Sequence, residues 1–117
     1  MHKNRISRVN DEIMREIAGI IRGELKDPRI SSLVTVTKAE TTTDLSNCKV
    51  YVSIMGDAEQ KAEVLNGIKH AGGFIRKLIA ERINLRNTPF LEFVLDDSLD
   101  YSMKISRLLD EVNRNDN

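Results

Sequence analysis

Two consecutive glycines, Gly72 and Gly73, interrupt an otherwise helical run of apolar residues, and this interruption constrains the fold more than any other feature. Upstream, Ala58, Ala62, Leu65, Ile68 and Gly72 form one stripe at helical spacing, with Val64 and Ala71 beside it. Downstream, the pattern resumes at once through Phe74, Ile75, Leu78, Ile79 and Ile83. A glycine inside a helix costs about 1 kcal/mol relative to alanine. Two helices meeting at a kink over Ala71, Gly72 and Gly73 therefore fit the pattern better than one straight helix. With no Cβ in the way, glycines at such a junction are also expected to let another backbone approach closely. Asp57, with Gln60 three residues on, resembles a capping box at the start of the pair.

The remaining periodicities set the frame for that pair. Ile6, Val9, Ile13, Ile17, Ile20 and Leu25 recur every three or four residues, which predicts an amphipathic first helix. Asn4 is its expected N-cap, and Pro28 closes the segment. Residues 33–40 are rich in β-branched side chains and read as a strand. After a polar link, Cys48, Val50, Val52 and Ile54 alternate with Lys49, Tyr51, Ser53 and Met55, the period of a half-buried strand. The two strands form an expected antiparallel hairpin. A third strand covers residues 90–95, and Ser98 is placed to cap a last helix with Tyr101, Ile105, Leu108, Leu109 and Val112 on its apolar side. Three strands with helices against one face make an α+β layer. At 117 residues this is one domain, over residues 1–112, with a polar tail at 113–117.

Catalytic chemistry finds little to work with. The two histidines, His2 and His70, have no nucleophile or orienting group at diagnostic spacing, and no HExxH, CxxC, Walker A or GxGxxG sequence occurs. The acidic pairs Asp96-Asp97 and Asp110-Glu111 read as strand-end and helix-surface charge. Cys48 has the apolar parity of its strand and reads as a core thiol. No enzyme activity, metal, cofactor or small-molecule substrate is expected. With no membrane-length apolar stretch and no secretory signal, the expected setting is the reducing cytoplasm.

Charge is the more informative property. Eighteen basic and 18 acidic residues cancel overall, yet residues 61–90 carry six basic against two acidic side chains, and residues 91–117 carry three against seven. Such asymmetry suggests a basic face for a polyanion, although ordinary surface clustering gives the same totals. Lys69, Arg76, Lys77, Arg82 and Arg86 surround the kink or follow it. Arg5 and Arg8 stand near the start of the first helix, where their charge opposes the helix dipole. These seven are the candidate RNA-contacting residues. The rival reading is a protein-interaction module that docks through the hairpin edge or an acidic C-terminal helix.

The order α-β-β-α-kink-α-β resembles the type II KH fold of RNA-binding proteins. Several stretches resemble the ribosome-binding factor A family: Arg5-x-x-Arg8-Val9, Lys26-Asp27-Pro28-Arg29, Asp44-Leu45 before Lys49-Val50-Tyr51-Val52-Ser53, and Asp97-Ser98 before Ile105 and Leu108-Leu109. The strongest runs from Leu65 through Ala71-Gly72-Gly73-Phe74-Ile75-Arg76 to Arg82-Ile83-x-Leu85-Arg86-x-x-Pro89. The resemblance implies a KH-like domain whose interhelical Ala-x-Gly kink, matched by Ala71, Gly72 and Gly73, replaces the usual GxxG loop. It further implies a monomer that binds the free small ribosomal subunit and assists late maturation of its ribosomal RNA. That role includes processing of the RNA's 5′ end near its terminal helix, is linked to growth in the cold, and ends before translation. Thr43 departs from the proline often present in the hairpin link, and Gly72 adds a second glycine to the kink.

Overall fold

The computed structural model describes residues 4–25, 30 and 33–98. The expected last helix beyond Ser98, the tail at 113–117 and the Lys26 to Arg29 stretch lie outside the described residues.

Helix α1 spans Arg5–Gly23. Its N-cap is Asn4, whose side-chain oxygen accepts the Ser7 N–H at 2.8 Å, as the sequence predicts. The buried face is Val9, Ile13, Ile17, Ile20 and Ile21, the middle of the expected stripe, with Ile6 and Leu25 half-buried at its two ends. Strands β1 (Val34–Thr41), β2 (Asn47–Ile54) and β3 (Phe90–Leu95) form one sheet in that order. β1 and β2 pair antiparallel, while β3 pairs parallel to β2, with Asn47 opposite Phe90 and Val50 opposite Phe93. A parallel return needs a crossover, which helices α2 (Ala58–His70) and α3 (Gly72–Arg82) supply. The result is the expected α+β order of the type II KH arrangement.

A bulge in β1 keeps the sheet amphipathic. Val34 and Val36 face Ile54 and Val52, then the register shifts, and Ala39 and Thr41 face Val50 and Cys48. Without the extra residue, the second half of the strand would turn its apolar side to water. Thr37, the inserted residue, donates its hydroxyl to Asp96 at 2.6 Å. Cys48, Val50, Val52 and Ile54 then close a single core with Ile13, Ile17, Ile20, Ile68, Ile75 and Ile79.

The helices break at the expected place, without the close approach expected there. α2 starts at an Asp57 capping box, with Gln60 N–H on Asp57 Oδ1 at 2.8 Å and Asp57 N–H on Gln60 Oε1 at 2.9 Å. It ends at Ala71, which also serves as N-cap of α3 without a side-chain hydrogen bond. The sequence suggested that the glycines admit a close backbone approach. Instead, a Cβ on Gly73 would meet nothing within 4 Å, and one on Gly72 would meet only Phe93 at an ordinary 3.8 Å. The junction is open on its outer side, so a β-branched residue at 73 would not be blocked by a neighbour. Steric pressure falls on other glycines: a Cβ on Gly56, at φ 135° ahead of α2, would stand 2.7 Å from Gln60 Oε1, and one on Gly67 in mid-α2 would stand 3.2 Å from the Ile30 side chain.

The hairpin turn is held by one carboxylate. Asp44 accepts the Ser46 N–H at 3.0 Å and the hydroxyls of Thr42 and Ser46 at 2.7 Å each. These donors, the Ser46 hydroxyl first, lower its pKa from 3.8 to about 2. The next residue, Leu45, adopts φ 62° with its side chain buried, so the turn is pinned into the core by a strained residue.

Candidate nucleic-acid interface

The seven candidate cations divide into two groups. Arg76, half-buried in α3, donates from Nη2 to the Thr88 carbonyl at 2.8 Å and from Nε to the Pro89 carbonyl at 3.2 Å. Its guanidinium also lies 4.4 Å from the Phe90 ring centroid. Arg82, at the end of α3, pairs with Glu24 at 2.8 Å and Glu16 at 3.8 Å, tying α3 to α1. Both side chains tie elements of the fold together, Arg76 with two of its five N–H donors and Arg82 through its two carboxylate partners. Sequence could not separate them from their neighbours, because their partners are backbone carbonyls and carboxylates distant along the chain.

Arg5, Arg8, Lys69, Lys77 and Arg86 are exposed and form no ion pair among the described residues. Arg5 and Arg8 occupy the first turn of α1, which contains no acidic residue to balance them. Lys69 lies in the last turn of α2, where a cation also suits the helix dipole. Lys77 follows the kink in α3, and Arg86 lies in the segment before β3.

Topology gathers part of this set at one end of the sheet. The Thr41 N–H donates to Asn10 Oδ1 at 2.9 Å, which fixes the first half of α1 against the hairpin end of β1. The Phe90 N–H donates to the Ser46 carbonyl at 3.0 Å, which places the start of β3 at that same end. Arg5 and Arg8 therefore share an end of the molecule with Phe90, Arg76 and Lys49. Lys69 and Lys77 flank the helix junction instead.

The face of the sheet away from the helices was not singled out by sequence. It presents Tyr51 at its centre, with the Lys38 ammonium 5.7 Å from the ring centroid and Glu40 accepting the phenol hydroxyl at 3.3 Å. Lys38 and Glu40 pair at 2.7 Å, which raises the lysine pKa and lowers that of the glutamate. A shallow hollow of about 560 Å³ opens beside them between Thr35, Thr37, Ser53, Met55, Asp96 and Ser98. The alternating apolar and polar residues of β2 carried the signal for this second face.

The sequence pattern of ribosome-binding factor A matches residues 5–109. The chain belongs to the ribosome-binding factor A family. It is 46% identical to ribosome-binding factor A of Agathobacter rectalis, over 98% of this chain and 97% of that one. The crystal structure of ribosome-binding factor A from Thermus thermophilus superposes with a TM-score of 0.69 at 27% identity, covering 79% of this chain and 97% of the other. Coordinates of the Thermus thermophilus factor fitted into a cryo-EM map of its complex with the 30S subunit superpose with a TM-score of 0.61 at 28% identity, over 75% and 91% of the two chains.

Among the described residues, no group of three or more His, Cys, Asp or Glu side chains could hold a metal ion. Cys48 is buried, and burial pushes its thiol pKa upward, away from thiolate reactivity. No described helix is long and apolar enough to cross a membrane.

Proposed function

We propose that this chain binds the free small ribosomal subunit through its ribosomal RNA, as a monomer in the cytoplasm, without catalysing a reaction itself. The observation that carries the reading is the match to a relative fitted on the 30S subunit. The unpaired cations extend it to RNA. Arg5, Arg8, Lys69, Lys77 and Arg86 displace condensed counterions from phosphates, while Arg76 and Arg82 shape the surface that carries them. The α/β layer recognises the shape of a folded RNA junction. Binding there assists late maturation of the subunit, including processing near the 5′-terminal helix of its RNA, and the factor leaves before translation.

Sedimentation of the tagged protein from cell extract tests the first claim: the factor travels with free small subunits and is absent from translating ribosomes. Each phosphate contact contributes roughly 0.7–0.9 to the slope of log K against log[salt]. Arg5→Gln combined with Arg8→Gln weakens subunit binding and flattens that slope by up to about two contacts, with the melting temperature unchanged. Association that ignores salt would overturn RNA contact in favour of a protein-docking module.

A further inference from the structure

We propose that the Phe90 ring is a stacking platform for one unpaired nucleobase, an inference that rests on the RNA-binding reading above. Phe90 is 65% exposed at the start of an edge strand. Burying such a side chain is worth about 1.5–3 kcal/mol, so its placement in solvent runs against folding energetics. The ring is nevertheless held in a fixed position. Its backbone N–H is bound to Ser46, the preceding Pro89 is fully buried, and Arg76 stacks 4.4 Å from the ring centroid. Arg76 is itself anchored by the Thr88 and Pro89 carbonyls, so the cation cannot swing away. One ring face is thus closed by a guanidinium and the other faces solvent.

The surroundings select the occupant. In register, Phe90 lies opposite Asn47, and Glu92, the next β3 residue on the same side, lies opposite Lys49. All are exposed. A protein-docking hot spot needs apolar neighbours, which this side of the sheet does not provide around the ring. A flat ring backed by a cation, beside a carboxamide that can hydrogen-bond a base edge, suits a splayed-out base of single-stranded RNA. Lys49, in register between Glu40 on β1 and Glu92 on β3, and the exposed Arg86, four residues before the ring, are the nearest cations along the strands for adjoining phosphates. Arg5 and Arg8 lie at the same end of the sheet, which makes this site continuous with their phosphate contacts.

The test compares Phe90→Ala, Phe90→Leu and Phe90→Trp for binding to free small subunits and to their deproteinised ribosomal RNA. Circular dichroism confirms that each variant remains folded. Loss of one base stack weakens binding roughly 5- to 160-fold. Alanine and leucine are expected to lose that much on both targets, and tryptophan to match or exceed the parent. Leucine performing as well as tryptophan would reduce the contact to simple apolar burial and overturn the proposal. So would a loss confined to intact subunits, which would indicate a ribosomal-protein contact. Salt-dependent binding by the parent with Phe90→Ala unaffected would remove the stacking site alone. Binding by the parent that ignores salt would remove the RNA reading and the stacking site together.

Discussion

The two faces of the three-stranded sheet are built on opposite principles. Toward the helices, Cys48, Val50, Val52 and Ile54 are excluded from water and meet a layer of isoleucines. Away from the helices, Lys49, Tyr51 and Ser53 on the same strand stand among Lys38, Glu40, Thr37 and Asp96. The first face is fixed by apolar burial and close packing, which tolerate little change. The second is arranged by exposed ion pairs and hydrogen bonds, each worth about 1 kcal/mol or less. A surface that contributes little to stability is one whose residues can be chosen for a ligand.

Truncation along β2 breaks this contrast most directly. Ile54→Ala should cost about 2–5 kcal/mol through lost burial and the cavity left behind. Lys49→Ala, on the other face of the same strand, should stay within ~0.5 kcal/mol. Urea unfolding of both variants measures the difference, and similar losses would show that the open face also carries the fold.

The adjacent pair Arg76 and Lys77 sharpens it. Arg76→Ala leaves two carbonyls and an aromatic ring without their partner, and hydrogen bonds to a charged group contribute about 1.5–3 kcal/mol each. Because Arg76 is only half-buried and water can replace part of what is lost, the net stability loss expected is below that sum, roughly 1–3 kcal/mol. Lys77→Ala should leave the melting temperature in place and reduce only salt-dependent subunit binding. Equal effects on stability would contradict the division between structural and ligand-facing cations.

Much of the fold was legible because the decisive signals are local. The Asn4 cap, the Asp57 and Gln60 capping box and the alternation of β2 each lie within a few residues and appear where expected. What sequence did not show depends on partners far along the chain. The parallel direction of β3 is set by the crossover helices, and the roles of Arg76 and Arg82 by Thr88, Pro89, Glu16 and Glu24. The bulge left a trace, because the apolar parity of β1 changes between Val36 and Ala39. The glycine junction was read correctly as a break and wrongly as a close approach, since a backbone preference and a packing constraint look alike in a sequence. Of the seven candidate cations, Arg76 and Arg82 have partners within the fold, and the other five are exposed. Phe90 was read only as the start of a strand, because its exposure depends on which side of the sheet that strand presents first.

The smallest expected effect lies in the hairpin turn. The Asp44 carboxyl has its pKa lowered from 3.8 to about 2, so the folded state holds its proton less tightly than the unfolded one. Its stabilisation is complete above about pH 4 and disappears as the pH falls to about 2. Asp44→Asn should flatten the pH dependence of the urea midpoint across that window and leave the neutral-pH fold intact. A parent and variant with parallel curves would show that the turn contributes nothing to acid stability.

The parallel pairing of β2 with β3 also dictates a schedule. β3 cannot reach β2 by a tight turn; residues 55–89 must first be laid down as the crossover. Pairing across so long a separation closes a large loop before any contact offsets its entropy, and it is accordingly slow. During synthesis, α1 and the β1–β2 hairpin leave the ribosome first, with one edge of β2 unpaired until residue 95 has followed. Arg76 fastens the segment immediately ahead of β3 to the crossover, through the Thr88 and Pro89 carbonyls. The residue that backs the proposed base platform thus also anchors the stretch of chain that carries it.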